Sequence, residues 1–349
     1  MARIGYFILD WGLGHATRSA PIIQYLIDQG HDLFLFSSGS AKSWLDQAFT
    51  ELICREIPGY DVAYNSSSAN RDIMRQTPGI IKKIEVEHSL TKQLTSELDL
   101  DLIISDNRYG CFHPDISSVI ITHQIQPPSA FFLQGLTNSL VKKNLQNFDV
   151  VWIPDSASPQ RLSGKLSHGH EAFQHRFLGP LSRLEGSKGD SATGYDICVV
   201  ISGPENARTK FESKMTGLLQ AISGNHLLIA GQPHEAFHRN TKNVEFVSHL
   251  ADDELASALL NSRYIICRSG YSSIMDLVAL GLRANVIPTP GQKEQEYLAK
   301  HMSDTMGWVS LNQNETITIS DLIEAKDHNP LPIQEDFREV IDAFILGIA

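Results

Sequence analysis

Residues 3–29, RIGYFILDWGLGHATRSAPIIQYLIDQ, join an apolar run at 3–9 to a turn holding Gly12 and Gly14, then to apolar residues at helical spacing through Ile22, Leu26 and Ile27. A strand that feeds a glycine turn and then a helix opens a βαβ unit. Residues 32–36 return to strand, and short aliphatic runs recur at 102–104, 119–122 and 150–153, each beside a helical stretch. This alternation predicts a parallel sheet with helices on both faces. The same grammar restarts after Gly179-Pro180, with strands at 195–201, 226–229, 264–267, 284–287 and 308–311, and helices at 208–221, 273–282 and 294–302.

The chain's 349 residues exceed what one core usually holds. The expected architecture is therefore α/β, with two Rossmann-like doubly wound domains facing each other across a cleft. We place the first at 1–178 and the second at 179–332, with a turn-rich linker at roughly 178–194. The remainder, 333–349, reads as a helix whose apolar face (Val340, Ile341, Phe344, Ile345) packs back on the N-terminal domain.

A net charge of −11, from 29 basic and 40 acidic residues, argues against nucleic acid as a partner. Before Gly179 there are 15 basic and 18 acidic residues, so the first half tolerates an anionic ligand better than the second. Four widely spaced cysteines with no CxxC pair fit a reducing cytoplasm. The first ten residues do not read as a signal peptide, and no apolar run nears the ~18 residues of a membrane span.

Chemistry concentrates where strands end. The turn after the first strand presents Gly12, Gly14 and His15 at a helix N-terminus, although Thr17 stands where a dinucleotide fingerprint has its third glycine. His15 is either a general base or the cap of its own turn; a helix N-terminus disfavours its charged form. Asp106, which ends a later strand, is either the carboxylate that holds the imidazole or a turn residue. Asn107, His123 and Gln124 share that rim and are candidates for acceptor binding.

In the second half, Ser202-Gly203 follows the first strand. The stretch Tyr264 to Asp276 is a strand, then Arg268-Ser269-Gly270-Tyr271-Ser272, then a helix. Backbone donors and hydroxyls there would hold a diphosphate without a divalent metal, and Asp276, a turn further on, would accept from a ribose diol. Gln292 and Gln295 lie in another strand-to-helix junction whose amides suit sugar hydroxyls.

Taken together, Gly12-Leu-Gly-His15, the Cys267 to Tyr271 turn, Asp276 and the 290–295 segment resemble the GT-B glycosyltransferases of the MurG-like, family 28 branch. The resemblance implies an inverting transfer of a sugar, N-acetylglucosamine being one candidate, from a UDP-sugar to a hydroxyl of a glycan or glycolipid of the cell envelope. By the same resemblance Leu250 lies near the uracil, Asp276 on the ribose, Ser269 to Ser272 on the diphosphate, and Gln292 and Gln295 on the sugar; Ser202, Gly203 and Arg268 are further candidates for binding the nucleotide sugar. His15 with Asp106 resembles the base and orienting acid of plant-type UDP-sugar transferases. The ribose position is usually Glu, and Asp10-Trp11 stands where relatives carry small residues. Alternatives are a UDP-N-acetylglucosamine 2-epimerase-like enzyme and a non-catalytic UDP-sugar-binding protein.

No metal and no cofactor beyond the donor is expected. Asp99-Leu-Asp101 has the DxD form of metal-using transferases but leads into a strand instead of ending one, and His168, His170 and His175 lack acidic or Cys partners. The tract at 65–70 is a lid or plain surface. An apolar and basic stretch (131–133, Leu136, Leu140, Lys142, Lys143) is either a peripheral membrane face or a helix packed on its own sheet.

Overall fold

The structure, a computed structural model, describes residues 1–60, 69–129, 134–158, 161–189, 194–203, 205–232, 235–326 and 335–348. The tract at 65–68, residues 131–133 and linker residues 190–193 lie outside these. The chain divides into two compact units, Met1–Leu181 with Ile333–Ala349, and Ser182–Pro332.

The first unit contains β1 (Arg3–Ile8), α1 (Gly14–Asp28), β2 (Asp32–Ser37), α2 (Gly39–Ala48), β3 (Cys54–Glu56), α3 (Ala69–Leu98), β4 (Leu102–Asp106), β5 (Ser117–Ile121), α4 (Gln134–Leu145), β6 (Val150–Ile153) and β7 (His175–Phe177). Its seven strands lie in the order β3-β2-β1-β4-β5-β6-β7, and every pair is parallel. The centre of this sheet is covered on both faces, which is why β1, β4 and β6 are nearly continuous apolar runs. Phe7, Phe36, Leu94 and Ile103 pack on one side, and Ile120, Leu145, Phe148 and Val151 form a further core cluster. The strand order reverses between β1 and β4, so the loops leaving their carboxyl ends diverge there and leave a crevice for ligand.

The second unit holds β8 (Tyr195–Val200), α5 (Glu205–Ala221), β9 (His226–Ile229), β10 (His238–Thr241), β11 (Val244–Val247), α6 (Asp252–Leu260), β12 (Ser262–Cys267), α7 (Tyr271–Ala279), β13 (Asn285–Val286), α8 (Lys293–Met306) and β14 (Val309–Ser310). The order is β10-β11-β9-β8-β12-β13-β14, parallel throughout apart from the antiparallel β10–β11 hairpin. Here the reversal falls between β8 and β12. The core is built by Val199, Phe211, Met215, Leu228, Phe246 and Ile266.

The last helix, α9 (Phe337–Ile348), belongs to the first unit. Its cover is α1 as much as the sheet: Tyr25 meets the Phe337 ring edge-on and donates to Asp342 at 2.6 Å, while Phe344 meets Trp152 of β6. Just before it, Glu335 accepts from Ser156 and from the Ala157 amide. The α4 helix buries Leu145 and lays Val141 on the core, with Leu136 and Leu140 exposed. Among the described residues, no helix is long and apolar enough to cross a membrane.

Candidate active site

In the first unit the crevice between β1 and β4 is where His15 and Asp106 meet. Ile8 and Asp106 are register partners, and the Leu9 amide donates to the Asp106 carbonyl at 3.1 Å. Gly12, with φ of +84°, lets the chain reverse into α1 and sets His15 in its first turn. His15 Nδ1 stands 2.7 Å from Asp106 Oδ1, with the imidazole 14% exposed and the carboxylate fully buried. Nδ1 faces two groups, the carboxylate, which can only accept, at 2.7 Å and an Arg18 nitrogen, which can only donate, at 2.9 Å; in the tautomer with the proton on Nδ1 it donates to Asp106 and Nε2 keeps its lone pair.

The carboxylate has more partners than the sequence reading foresaw. Arg18, 3% exposed, donates from Nε to Oδ2 at 2.8 Å and from its second nitrogen to Oδ1, and the Ser19 hydroxyl reaches Oδ2 at 2.9 Å. Burial alone would raise the Asp106 carboxyl, but the Arg18 guanidinium and His15 outweigh it and hold the group far below the usual carboxylate range. The His15 pKa is lowered, by burial first and by Arg18 second, against the pull of Asp106. The imidazole is therefore neutral at neutral pH. One signal for Arg18 was available in the sequence, since it follows His15 by three positions and so shares its helix face.

His123 is 5% exposed and places Nδ1 3.3 Å from Arg18, which joins the β5 exit to the same cluster. Gln124 is half-buried, its amide held by the Thr122 hydroxyl. Asn107 is left-handed, with φ of +59°, and its side-chain oxygen is buried without a partner among the described residues. Behind them Arg108 joins Glu87 at 2.5 Å, Tyr60 donates to the same carboxylate at 2.8 Å, and Arg108 also reaches the Pro58 carbonyl. No sequence motif marks this buried network, whose members are far apart along the chain.

Beside the β1 exit lies a groove of about 630 Å3, lined by Asp10, Ser38, Gly39, Glu56, Ile57, Pro58 and Gly59. Asp10 accepts from the Ser40 hydroxyl at 3.0 Å and the Ala41 amide at 3.2 Å, so its carboxylate already occupies the anion position at the start of α2. The Ser38 hydroxyl is buried there and unpartnered among the described residues.

In the second unit, β12 delivers Arg268-Ser269-Gly270 to the start of α7, beside Ser202 and Gly203 at the β8 exit. Gly270 is the N-cap of α7 and has no side chain to cap the helix with. Gly203 is exposed with φ of +103°, and Ser202 and Ser272 are half-buried. Tyr271 is buried at 4% exposure. The Ser269 hydroxyl is spent on the Gln295 carbonyl at 2.8 Å, so its contribution to a ligand is its backbone.

Arg268 corrects the sequence reading. It is wholly buried, donates to the carbonyls of Ile287, Pro288 and Ala207, and lies 3.9 Å from the Phe211 ring centroid. Its guanidinium braces the turn from within the core and does not face ligand. Burial lowers its pKa to about 10, which leaves it charged. Gln295 likewise turns inward, its side-chain oxygen accepting from the Thr289 amide at 2.8 Å, whereas Gln292 is the half-buried N-cap of α8.

Asp276 accepts from the Ser182 hydroxyl at 2.7 Å, with the Arg183–Asp252 pair (2.6 Å) nearby and half-buried Leu250 just before α6. Burial pushes its carboxyl up to about 6, against the opposing pull of Arg183. Asp99 and Asp101 sit at the opposite end of β4 from Asp106, where the Asp101 carboxylate accepts from the Arg3 amide at 2.7 Å.

Residues 205–339 match the model of the glycosyltransferase family 28 C-terminal domain, and residues 2–116 match the model of glycosyl transferase family 1. The protein is thus a glycosyltransferase with the GT-B fold, similar over residues 205–339 to the family 28 C-terminal domain. It is 23% identical over 314 residues to an uncharacterized glycosyltransferase of Methanosarcina acetivorans, a match that spans 84% of this chain and 81% of that protein. A Methanosarcina mazei counterpart is 21% identical over the same shares. Among solved structures, the spinosyn rhamnosyltransferase SpnG superposes with a TM-score of 0.62 at 13% identity, covering 88% of this chain and 86% of its own. MurG of Acinetobacter baumannii gives 0.53 at 15% identity, covering 99% and 90%.

Proposed function

We propose that the protein is an inverting, metal-independent transferase that moves a sugar from UDP to a hydroxyl of a glycan or glycolipid acceptor. The observation that carries this reading is the neutral His15 imidazole, its Nδ1 2.7 Å from an ionised, buried Asp106 at the switch point of the first sheet. In the proposed step the acceptor hydroxyl gives its proton to Nε2 while its oxygen attacks the anomeric carbon. The bond to the diphosphate breaks on the opposite face, and UDP leaves with the electron pair. Asp106 steadies the imidazolium formed.

The donor falls to the second unit in this reading. The amides of residues 270–272 and the α7 dipole meet the leaving diphosphate, which is the task a divalent metal performs in other transferases. Asp276 accepts from the ribose through the oxygen that Ser182 leaves open. Support for a nucleoside diphosphate comes from SpnG, a neighbour at TM-score 0.60 solved with thymidine diphosphate. On the acceptor side, Gly12, Gly14, Asn107, His123 and Gln124 rim the base. The groove beside them, bearing the carboxylates of Asp10 and Glu56, favours a hydroxyl-rich group over a phosphate.

Calorimetric titration with UDP, GDP and dTDP in EDTA tests the donor half, and UDP binding that Asp276→Ala loses is the expected result. No nucleotide binding would overturn it. For the chemistry, UDP release with acceptor present should fall by roughly 10²–10⁴ in His15→Ala, and full retention would remove the base. Conversion of UDP-N-acetylglucosamine with no acceptor would instead identify an epimerase.

A further inference from the structure

We propose that Arg18 is a positioning residue for the base: it locks the Asp106 carboxylate in the orientation that accepts from His15 Nδ1, and its charge keeps the imidazole neutral with Nε2 open to the acceptor. This rests on His15 being the base.

The argument begins with charge. A histidine and a buried carboxylate alone form a pair that welcomes a proton, because protonation cancels the buried negative charge. Here that cancellation is already made. Arg18 and Asp106 are 3% and 0% exposed, and the guanidinium keeps its proton throughout the range in which histidine titrates. With His15 neutral the buried cluster has no net charge, and with His15 protonated it carries one unit of positive charge. Arg18 stands 2.9 Å from Nδ1, where that repulsion is greatest.

The second half of the argument is geometry. Arg18 grips both carboxylate oxygens as a fork, Nε to Oδ2 at 2.8 Å and the second nitrogen to Oδ1, while Ser19 takes the remaining side of Oδ2. The carboxylate plane is thereby fixed before any acceptor arrives, with Oδ1 held 2.7 Å from His15 Nδ1. The groups around the imidazole and guanidinium are Asp106 at the end of β4, His123 beyond β5, and the buried hydroxyls of Tyr6 and Tyr109.

The test is an NMR titration of the His15 Cε1 proton in the full chain without donor or acceptor, with the resonance identified by its loss in His15→Gln. The wild-type midpoint should lie below 6.5. In Arg18→Met it should rise by roughly one unit or more, and in Arg18→Lys, which keeps the charge but loses the fork, it should stay near wild type. Arg18→Gln serves in place of the methionine variant where that one does not fold. The unfolding transition of the first unit, read by scanning calorimetry and kept within a few degrees of wild type, verifies that each variant is folded, and UDP binding verifies the other unit. An unmoved midpoint in a folded, UDP-binding Arg18→Met or Arg18→Gln overturns the role of Arg18. Full transfer by His15→Gln overturns the base reading beneath it, so the two failures are separable.

Discussion

Asp276, the residue proposed to meet the ribose, is held against the stability of the fold. Its folded pKa is raised to about 6 from the ordinary 3.8, so the folded state binds the extra proton between those values. Stability from this group is therefore present below about pH 4 and lost as pH rises through 6. Asp276→Asn should stabilise the protein at pH 7.5 by on the order of 2 kcal/mol, a gain that shrinks toward pH 4, as denaturant titrations at the two pH values will show. UDP affinity should fall at least tenfold in the same variant. In the wild type it should weaken as pH drops from 7.5 to 5, because the ribose needs the ionised acceptor. The sequence made His15, Asp106 and Asp276 legible as candidates because the first opens a helix, the second ends a strand and the third lies one turn past a strand-to-helix junction. Arg18 and Arg268 were not legible in their roles. The first depends on β4 lying beside β1, and the second on which way a side chain turns at a strand end, neither of which is local.

At the scale of elements, the β12–α7 junction divides its labour. Arg268 braces it from inside, Ser269 ties it to α8, and Gly270 presents the amides. Gly270 has ordinary extended angles (φ −71°, ψ 141°), and a Cβ there would meet nothing nearer than the Ser273 hydroxyl at 4.0 Å. Gly270→Asp should therefore preserve or slightly raise thermal stability as a better N-cap, by a few tenths of a kcal/mol. It should also expel the diphosphate by like charge, and calorimetry reads both effects: an unchanged melting temperature and UDP affinity lower by a factor of ten or more. Long apolar strands such as β1 and β12 were readable from their runs. The three-residue β3 and β7 and the wholly exposed β10 were not, since so short a segment carries no periodicity.

For the whole molecule, the informative feature is α9, which leaves the second unit to rejoin the first through Tyr25, Trp152 and Ser156. Removing residues 335–349 should lower the unfolding transition of the first unit by several degrees and leave that of the second in place, with UDP binding retained; scanning calorimetry with and without UDP assigns the two transitions. The restart of the strand–helix grammar after Gly179 made two units readable. The return of α9 could be read as an amphipathic face but not as a particular partner, because α1 and β6 become its cover only in three dimensions. The connectivity also sets a timetable for synthesis. Translated from the N-terminus, the second unit has all its residues before the first has its last helix, so α1 and Trp152 stay without their α9 cover on the ribosome until that helix emerges. The unit that holds the His15–Asp106 pair is completed last, after every residue of the other unit has been made.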